Sequence, residues 1–209
     1  MGVTIKQGTA EKDIADARKR ARKLKLFVHD VHGVRTSETL SCDVEGRRLY
    51  GFWHMDGFGD LSLTANGVGV AFLDTTSIDG EGLFRARELK LDKFYYSVTD
   101  KAAKVEELKK EMNIGYKEVA CLGSELSDIP VMKKAGLAIA TSDAKDEVKT
   151  VAHYITSAPG GRGAMREMCE FILRAMDKWD GWIEKVTKME YPQEARVVAH
   201  FGATRPTGV

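Results

Sequence analysis

Leu26-Phe27-Val28-His29-Asp30-Val31-His32-Gly33-Val34-Arg35-Thr36 decides how this chain is read. Four residues of apolar or β-favouring character run into Asp30, and a glycine follows three positions later. That pattern predicts a buried strand ending in a tight turn, with a carboxylate at the strand's C-terminal edge. In open α/β sheets this edge is where ligands sit. A carboxylate there can act as a metal ligand or as a nucleophile that forms an aspartyl-phosphate. It can also simply close a βα turn, so the neighbouring segments have to separate these roles.

Working outward, residues 10–24 are polar and helix-prone, and 25–30 form the first strand. Residues 39–50 alternate around Glu45-Gly46, which predicts a β-hairpin. Residues 57–66 read as a helix with Asp56 as its cap, and Gly67-Val68-Gly69-Val70-Ala71-Phe72-Leu73 as a strand buried on both faces. Further strands are expected at 94–98, 119–122, 137–140 and 154–155. Helices are expected at 81–90, 101–112, 129–135 and 146–151, with one long helix from 164 to 178 or beyond. Strands alternating with helices at this spacing predict an α/β fold with a doubly wound, mainly parallel sheet.

The chain has 209 residues, 43% of them hydrophobic and 30% charged, enough to bury one core of ordinary size. Lys and Arg number 32 against 31 Asp and Glu, so bulk charge points to neither nucleic acid nor membrane. The basic run at 19–25 reads as the solvated end of a helix, because the rest of the sequence shows no second basic patch. Cys42, Cys121 and Cys169 are odd in number and far apart, which argues against a disulfide framework or a zinc site. With no apolar signal core and no run approaching a membrane span, the expected location is cytoplasmic. The expected organisation is a helical lead-in at 1–24, an α/β domain at 25–187 and a tail at 188–209.

Asp30, the region 74–77, Lys101 and the run 123–128 all fall at strand ends or at the start of the next helix. A sheet of this topology gathers them into one crevice. On four runs the chain resembles the haloacid dehalogenase superfamily, in particular the 3-deoxy-D-manno-octulosonate 8-phosphate phosphatase branch. These are Asp30-Val31-His32-Gly33-Val34-Arg35-Thr36, Val98-Thr99-Asp100-Lys101, Gly123-Ser124-Glu125-Leu126-Ser127-Asp128-Ile129-Pro130-Val131-Met132-Lys133 and Pro159-Gly160-Gly161-Arg162-Gly163-Ala164-Met165-Arg166-Glu167. The same stretch is similar to the phosphatase-like C-terminal domain of some sialic-acid cytidylyltransferases, which is thought to assemble subunits without hydrolysing anything. The resemblance implies a haloacid dehalogenase-like fold with no large cap domain and a small hairpin insertion. It also implies a sugar-phosphate ligand, Mg²⁺ and a homotetramer.

The resemblance assigns roles and also exposes departures. Asp30 matches the nucleophile, while His32 stands where the family has a second aspartate as acid/base. Imidazole can do general acid work at neutral pH, although as imidazolium it opposes a nearby cation. Lys101 matches the lysine that neutralises nucleophile and phosphate. The fourth run normally begins Gly-Asp-Asp and holds Mg²⁺; here Ser124 and Glu125 occupy the two positions, with Asp128 keeping the later one. Metal ligation then falls to Asp30, Asp128 and a weak Ser124, so Mg²⁺ is expected to bind weakly or not at all. The phosphate-binding Thr or Ser of the second run aligns with Asp74 in one register and with Thr75 in the other.

The expected function is a phosphatase-fold scaffold with weak or no turnover, resembling phosphohydrolases of 2-keto-3-deoxy sugar acid phosphates. The alternative is an active Mg²⁺-dependent phosphomonoesterase using Asp30 and His32. In the resembled family the glycine loop lies near a neighbouring subunit's cleft, where Arg162 can approach a substrate anion. The preferred reading is structural, a tight lead into the last helix. His29 is read as a satisfied core residue, Trp179 and Trp182 as packing. Phe52, Trp53 and Phe58 belong either to a subunit interface or to the monomer core.

Overall fold

A computed structural model describes residues 11–190 of the chain, except 38, 47, 76–80 and 92. The expected 1–10 and 191–209 parts of lead-in and tail, and Ser77, lie outside the described residues. Six parallel strands form the main sheet: β1 (Leu26–His29), β4 (Gly69–Leu73), β5 (Phe94–Tyr95), β6 (Val119–Gly123), β7 (Leu137–Ala140) and β8 (Tyr154–Ile155). Their spatial order is β5-β4-β1-β6-β7-β8. β1 pairs Phe27 with Val70 of β4 on one side and with Ala120 of β6 on the other, so it sits at the centre. The chain moves outward from β1 in one direction and then crosses to its other flank. The point where strand order reverses therefore lies over the C-terminal end of β1, where Asp30 follows.

Side chains alternate across the pleat and build two cores. Phe27, Val70, Phe72, Leu122 and Ile139 face one side, under α1 (Glu11–Ala21), α2 (His54–Ala65), α7 (Ala164–Ala175) and α8 (Trp179–Thr187). Leu26, Val28, Leu73, Cys121 and Ala138 face the other, under α4 (Lys101–Met112), α5 (Ile129–Met132) and α6 (Asp146–Val151). Ala17 and Ala21 of α1 are fully buried in the first core. The expected hairpin is present as β2 (Ser41–Cys42) antiparallel to β3 (Arg48–Leu49), with both strands exposed. α3 (Glu81–Glu88) precedes β5. No helix among the described residues is long and apolar enough to cross a membrane.

The last helix does not run through residue 178. It stops at Ala175, and Lys178 donates back to the carbonyl of Leu173 at 2.9 Å while Asp177 takes a left-handed conformation (φ 58°). The chain restarts at Trp179, and the break turns Trp182 inward against Phe58, with ring centroids 5.7 Å apart. Phe58 thus belongs to the monomer core, whereas Trp53 stays half exposed.

Asp56 does not cap α2, which begins two residues before it and has no side-chain cap. Its Oδ1 accepts from Arg166 N at 2.9 Å, in the first turn of α7. The residue before that helix, Gly163, has no side chain to do this work, so a carboxylate from 110 positions away supplies the cap. Replacing Asp56 by Ala is expected to lower unfolding free energy by about 1–2 kcal/mol, with Asp56→Asn retaining most of it. Urea denaturation of the two variants checks this.

Candidate active site

The turn after β1 is built around one carbonyl. Val34, Arg35 and Thr36 direct their N–H groups at Val31 O (3.4, 2.8 and 3.1 Å), which requires the left-handed backbone of Gly33 (φ 73°). The glycine loop packs on this turn: Gly161 N donates to Val34 O at 2.8 Å and Gly160 N to Asp143 Oδ1 at 3.0 Å. A Cβ on Gly160 would collide with Gly33 O, and one on Gly161 with the backbone of Thr36 and Ser37. The glycines are thus required by close approach of two loops, and Arg162 at the loop's tip is exposed.

Asp30 is 5% exposed. Its Oδ1 accepts from Val31 N at 2.7 Å and its Oδ2 from Lys101 Nζ at 2.6 Å. Lys101 opens α4, a helix capped by Asp100, whose side chain accepts from Ala103 N. The same ammonium donates to Asp128 Oδ1 at 2.6 Å, and Ser127 Oγ lies 3.4 Å away. Asp128 Oδ2 in turn accepts from Ser124 N (2.9 Å) and Glu125 N (3.1 Å), so both its oxygens are engaged. Gly123 is needed here, because a Cβ would press on the Asp128 side chain. Asp30, Lys101 and Asp128 thus converge at the sheet edge, as the sequence reading requires of a single crevice.

Burial pushes the Asp30 carboxyl up to about 7, against the attraction of Lys101 and with the repulsion of Asp128. For Lys101, burial pulls the ammonium down, but the two carboxylates outweigh it and the net direction is up.

His32 lies with Nε2 4.0 Å from Asp74 Oδ1 and its ring 5.2 Å from that of Tyr50. Asp74 is the buried residue at the end of β4, and Thr75 beside it is exposed. Asp74 is pinned through its backbone, with N donating to Tyr95 O (2.8 Å) and O accepting from Val98 N (2.9 Å). Ser124 is buried, and its Oγ has no hydrogen-bond partner among the described residues. Glu125 Oε2 lies 4.0 Å from Lys145 Nζ, and its Oε1 accepts from Leu126 N.

The sequence reading missed a buried ion pair behind the turn that follows Asp30. Arg35, 1% exposed, pairs with the fully buried Asp60 of α2 and lies over the Phe72 ring at 4.3 Å. It also reaches His29 Nε2 at 3.4 Å, while His29 Nδ1 donates to Asp30 O at 2.7 Å. Burial and the Arg35 charge hold the His29 imidazole well below its usual range, so it is neutral, a satisfied core residue as expected. The available signal was a lone Arg inside an otherwise apolar turn. Nothing local distinguishes such an Arg from a solvated one until Asp60 is folded against it.

Residues 89–164 match the haloacid dehalogenase-like hydrolase family. The chain is 35% identical over 167 residues to the 3-deoxy-D-manno-octulosonate 8-phosphate phosphatase of Yersinia pestis, covering 79% of this chain and 88% of that one. It is 30% identical over 169 residues to the corresponding phosphatase of Escherichia coli strain K12, with the same coverage of each. A putative haloacid dehalogenase superfamily hydrolase from Legionella pneumophila superposes with a TM-score of 0.81 at 32% identity, covering 85% of this chain and 97% of that one. The Moraxella catarrhalis 3-deoxy-D-manno-octulosonate 8-phosphate phosphatase, solved with magnesium ion, phosphate ion and a KDO molecule, superposes at 0.79 and 29% identity. That match covers 82% of this chain and 98% of that one. At 35% identity over four fifths of its length, and with the same family's model matching its centre, the chain belongs to the haloacid dehalogenase superfamily, in the 3-deoxy-D-manno-octulosonate 8-phosphate phosphatase branch.

Proposed function

We infer that this chain is a phosphatase-fold protein with weak or no phosphomonoester turnover, assembled as a homotetramer and related to sugar-phosphate phosphatases. The observation that carries this reading is the Lys101 ammonium shared by Asp30 and Asp128 at 2.6 Å each. A phosphate dianion approaching Asp30 meets two carboxylates that already share the one ammonium between them.

The donor set does not fit a tight Mg²⁺ site. Mg²⁺ asks for several hard oxygens in near-octahedral array. The Asp30 oxygens are engaged by Val31 N and Lys101, those of Asp128 by Lys101 and two backbone N–H groups. The Ser124 hydroxyl, buried and without a hydrogen-bond partner among the described residues, adds only a neutral oxygen. Among the described residues no three His, Cys, Asp or Glu converge as a cation site.

Assembly is supported by apolar side chains on the hairpin and beside it: Leu40 (56% exposed), Val44 (97%), Leu49 (55%) and Trp53 (49%). Sedimentation equilibrium tests the tetramer. Turnover is tested by phosphate release from 2-keto-3-deoxy sugar acid phosphates and p-nitrophenyl phosphate with Mg²⁺, against Asp30→Asn. Equal background in both proteins is expected; activity lost in the variant overturns the reading.

One observation favours the alternative, an active phosphomonoesterase with Asp30 as nucleophile. His32 faces Asp74 at 4.0 Å, an arrangement in which a carboxylate orients an imidazole for acid/base work.

A further inference from the structure

The basic run at 19–25 does not stand alone in the folded chain. Lys117, Arg174 and Lys178, distant in sequence, come to lie beside it around two adjoining cavities of about 1170 and 340 Å³ that share Arg22, Ala175 and Asp177. Together the two cavities are lined by seven cationic side chains and three carboxylates, in a chain whose net charge is only +1. The groove opens at the N-terminal edge of the sheet, where Lys25, Val68 and Glu118 precede β1, β4 and β6. Asp30 lies at the far end of β1, about 16 Å away along the strand.

Part of this charge answers the negative ends of helices. Arg22 Nε donates to Ala175 O at the end of α7 (3.0 Å), and Lys178 Nζ to Asn66 O just past α2 (2.7 Å). Those acceptors are neutral carbonyls, so both side chains are held in place while keeping their full charge and spare donors. Lys25 is paired with Glu118 at 2.7 Å and Arg174 with Glu170 at 3.7 Å. Arg18, in the last turn of α1, stands one turn before Arg22, whose N–H donates to the Arg18 carbonyl at 3.3 Å. Arg18, Lys23 and Lys117 make no ion pair among the described residues.

We propose that this groove is a second ligand site, for an oligophosphate group such as a nucleoside triphosphate or inorganic polyphosphate carries. Guanidinium forks and fixed ammonium groups suit clustered phosphate oxygens, and a positive cleft concentrates such anions. A nucleic-acid strand suits it less, because its two aromatic rings are already covered. Lys109 Nζ lies 3.7 Å from the centre of the Tyr116 ring, and Arg174 and Arg166 lie 4.9 and 5.4 Å from Trp179, which removes the stacking platform. The chain's own ends are not the occupant: residues 1–10 hold one Lys and no acid, and 191–209 hold two Arg against one Glu.

The test is calorimetric titration of the full chain with inorganic tripolyphosphate and with ATP, without divalent cation, at about 50 and 200 mM salt. Tripolyphosphate binding that weakens with salt is expected. It should fall by about tenfold or more in Lys23→Glu/Lys117→Glu, exposed positions whose reversal leaves the melting temperature unchanged, and stay intact in Asp30→Asn. Equal affinity for the two probes assigns the site to the phosphate chain, and tighter ATP binding to a nucleotide; either upholds the site. No tripolyphosphate binding at about 1 mM, equal binding in the charge-reversed variant, or loss of binding in Asp30→Asn overturns it. So does retention of a polyglutamate peptide where tripolyphosphate fails.

Discussion

Introducing His32→Asp, Asp74→Thr and Ser124→Asp together is expected to raise phosphate release by about a thousandfold or more, in a form that needs added Mg²⁺. The three changes introduce the residue types that the resemblance to the family's motifs implies, and on the reading proposed above each answers a separate physical deficit. A carboxyl at 32 supplies a general acid of the family's shape and size, a contribution of about 10²–10⁴ where such groups are removed. In the register that puts residue 74 against the phosphate, threonine there would exchange an anion for a hydroxyl donor; two unit charges about 4 Å apart repel by about 4 kcal/mol at an effective dielectric of about 20. Aspartate at 124 replaces the unpartnered buried hydroxyl with a carboxylate able to hold a cation. Because the reacting groups act as a unit, any single replacement should give far less than the set. A correctly folded triple variant no faster than the parent, or a parent already turning over at the variant's rate, sinks the interpretation.

Lys101→Met is expected to cost about 3–5 kcal/mol of unfolding free energy. The ammonium is 4% exposed and stands between two carboxylates that are 6% and 2% exposed. Removing it leaves two like charges buried together with no counterion. The pH dependence follows from the direction of the Asp30 shift. Its folded carboxyl, raised to about 7, holds a proton that the unfolded chain, near 3.8, has already released. Stability from this group is therefore fully present below about pH 4 and is lost as pH rises toward 7. Without Lys101 the folded pKa rises further, so the variant should regain much of the lost stability on acidification from about pH 7.5 to 5. Urea denaturation at the two pH values measures it. A variant equally destabilised at both would mean that packing of the lysine stem, not its charge, holds the site.

Most of the sheet was legible because its strands are continuous apolar runs punctuated by glycine and polar clusters. β1, β7 and β8 fall where periodicity places them, and α4 spans the expected residues with the expected Asp-Lys start. The break after α7 was not legible. Residues 164–187 keep a helical apolar stripe across it, and the left-handed turn at Asp177 follows from where the two tryptophans find space. Asp56 misled for a related reason. An aspartate ahead of an apolar periodic run is a strong local cap signal, yet its carboxylate is consumed by a helix that folds back against it much later in the chain. The two registers of the second motif were indistinguishable along the chain. In three dimensions Asp74 is buried toward His32 and Thr75 beside it is exposed.

Residue order alone carried the strand–helix alternation, and with it the sheet, the position of Asp30 at a strand end and the family. Those properties are written in local periodicity and in motif spacing, which need no partner to be read. Tertiary folding decided the protonation environment of Asp30, the sharing of one ammonium by two carboxylates and the buried Arg35–Asp60 pair. It also decided the meeting of Lys117, Arg174 and Lys178 with the basic end of α1. Charge, unlike hydrophobic pattern, takes its meaning from what stands across a few ångströms of low-dielectric space, and only the closed fold says what that is.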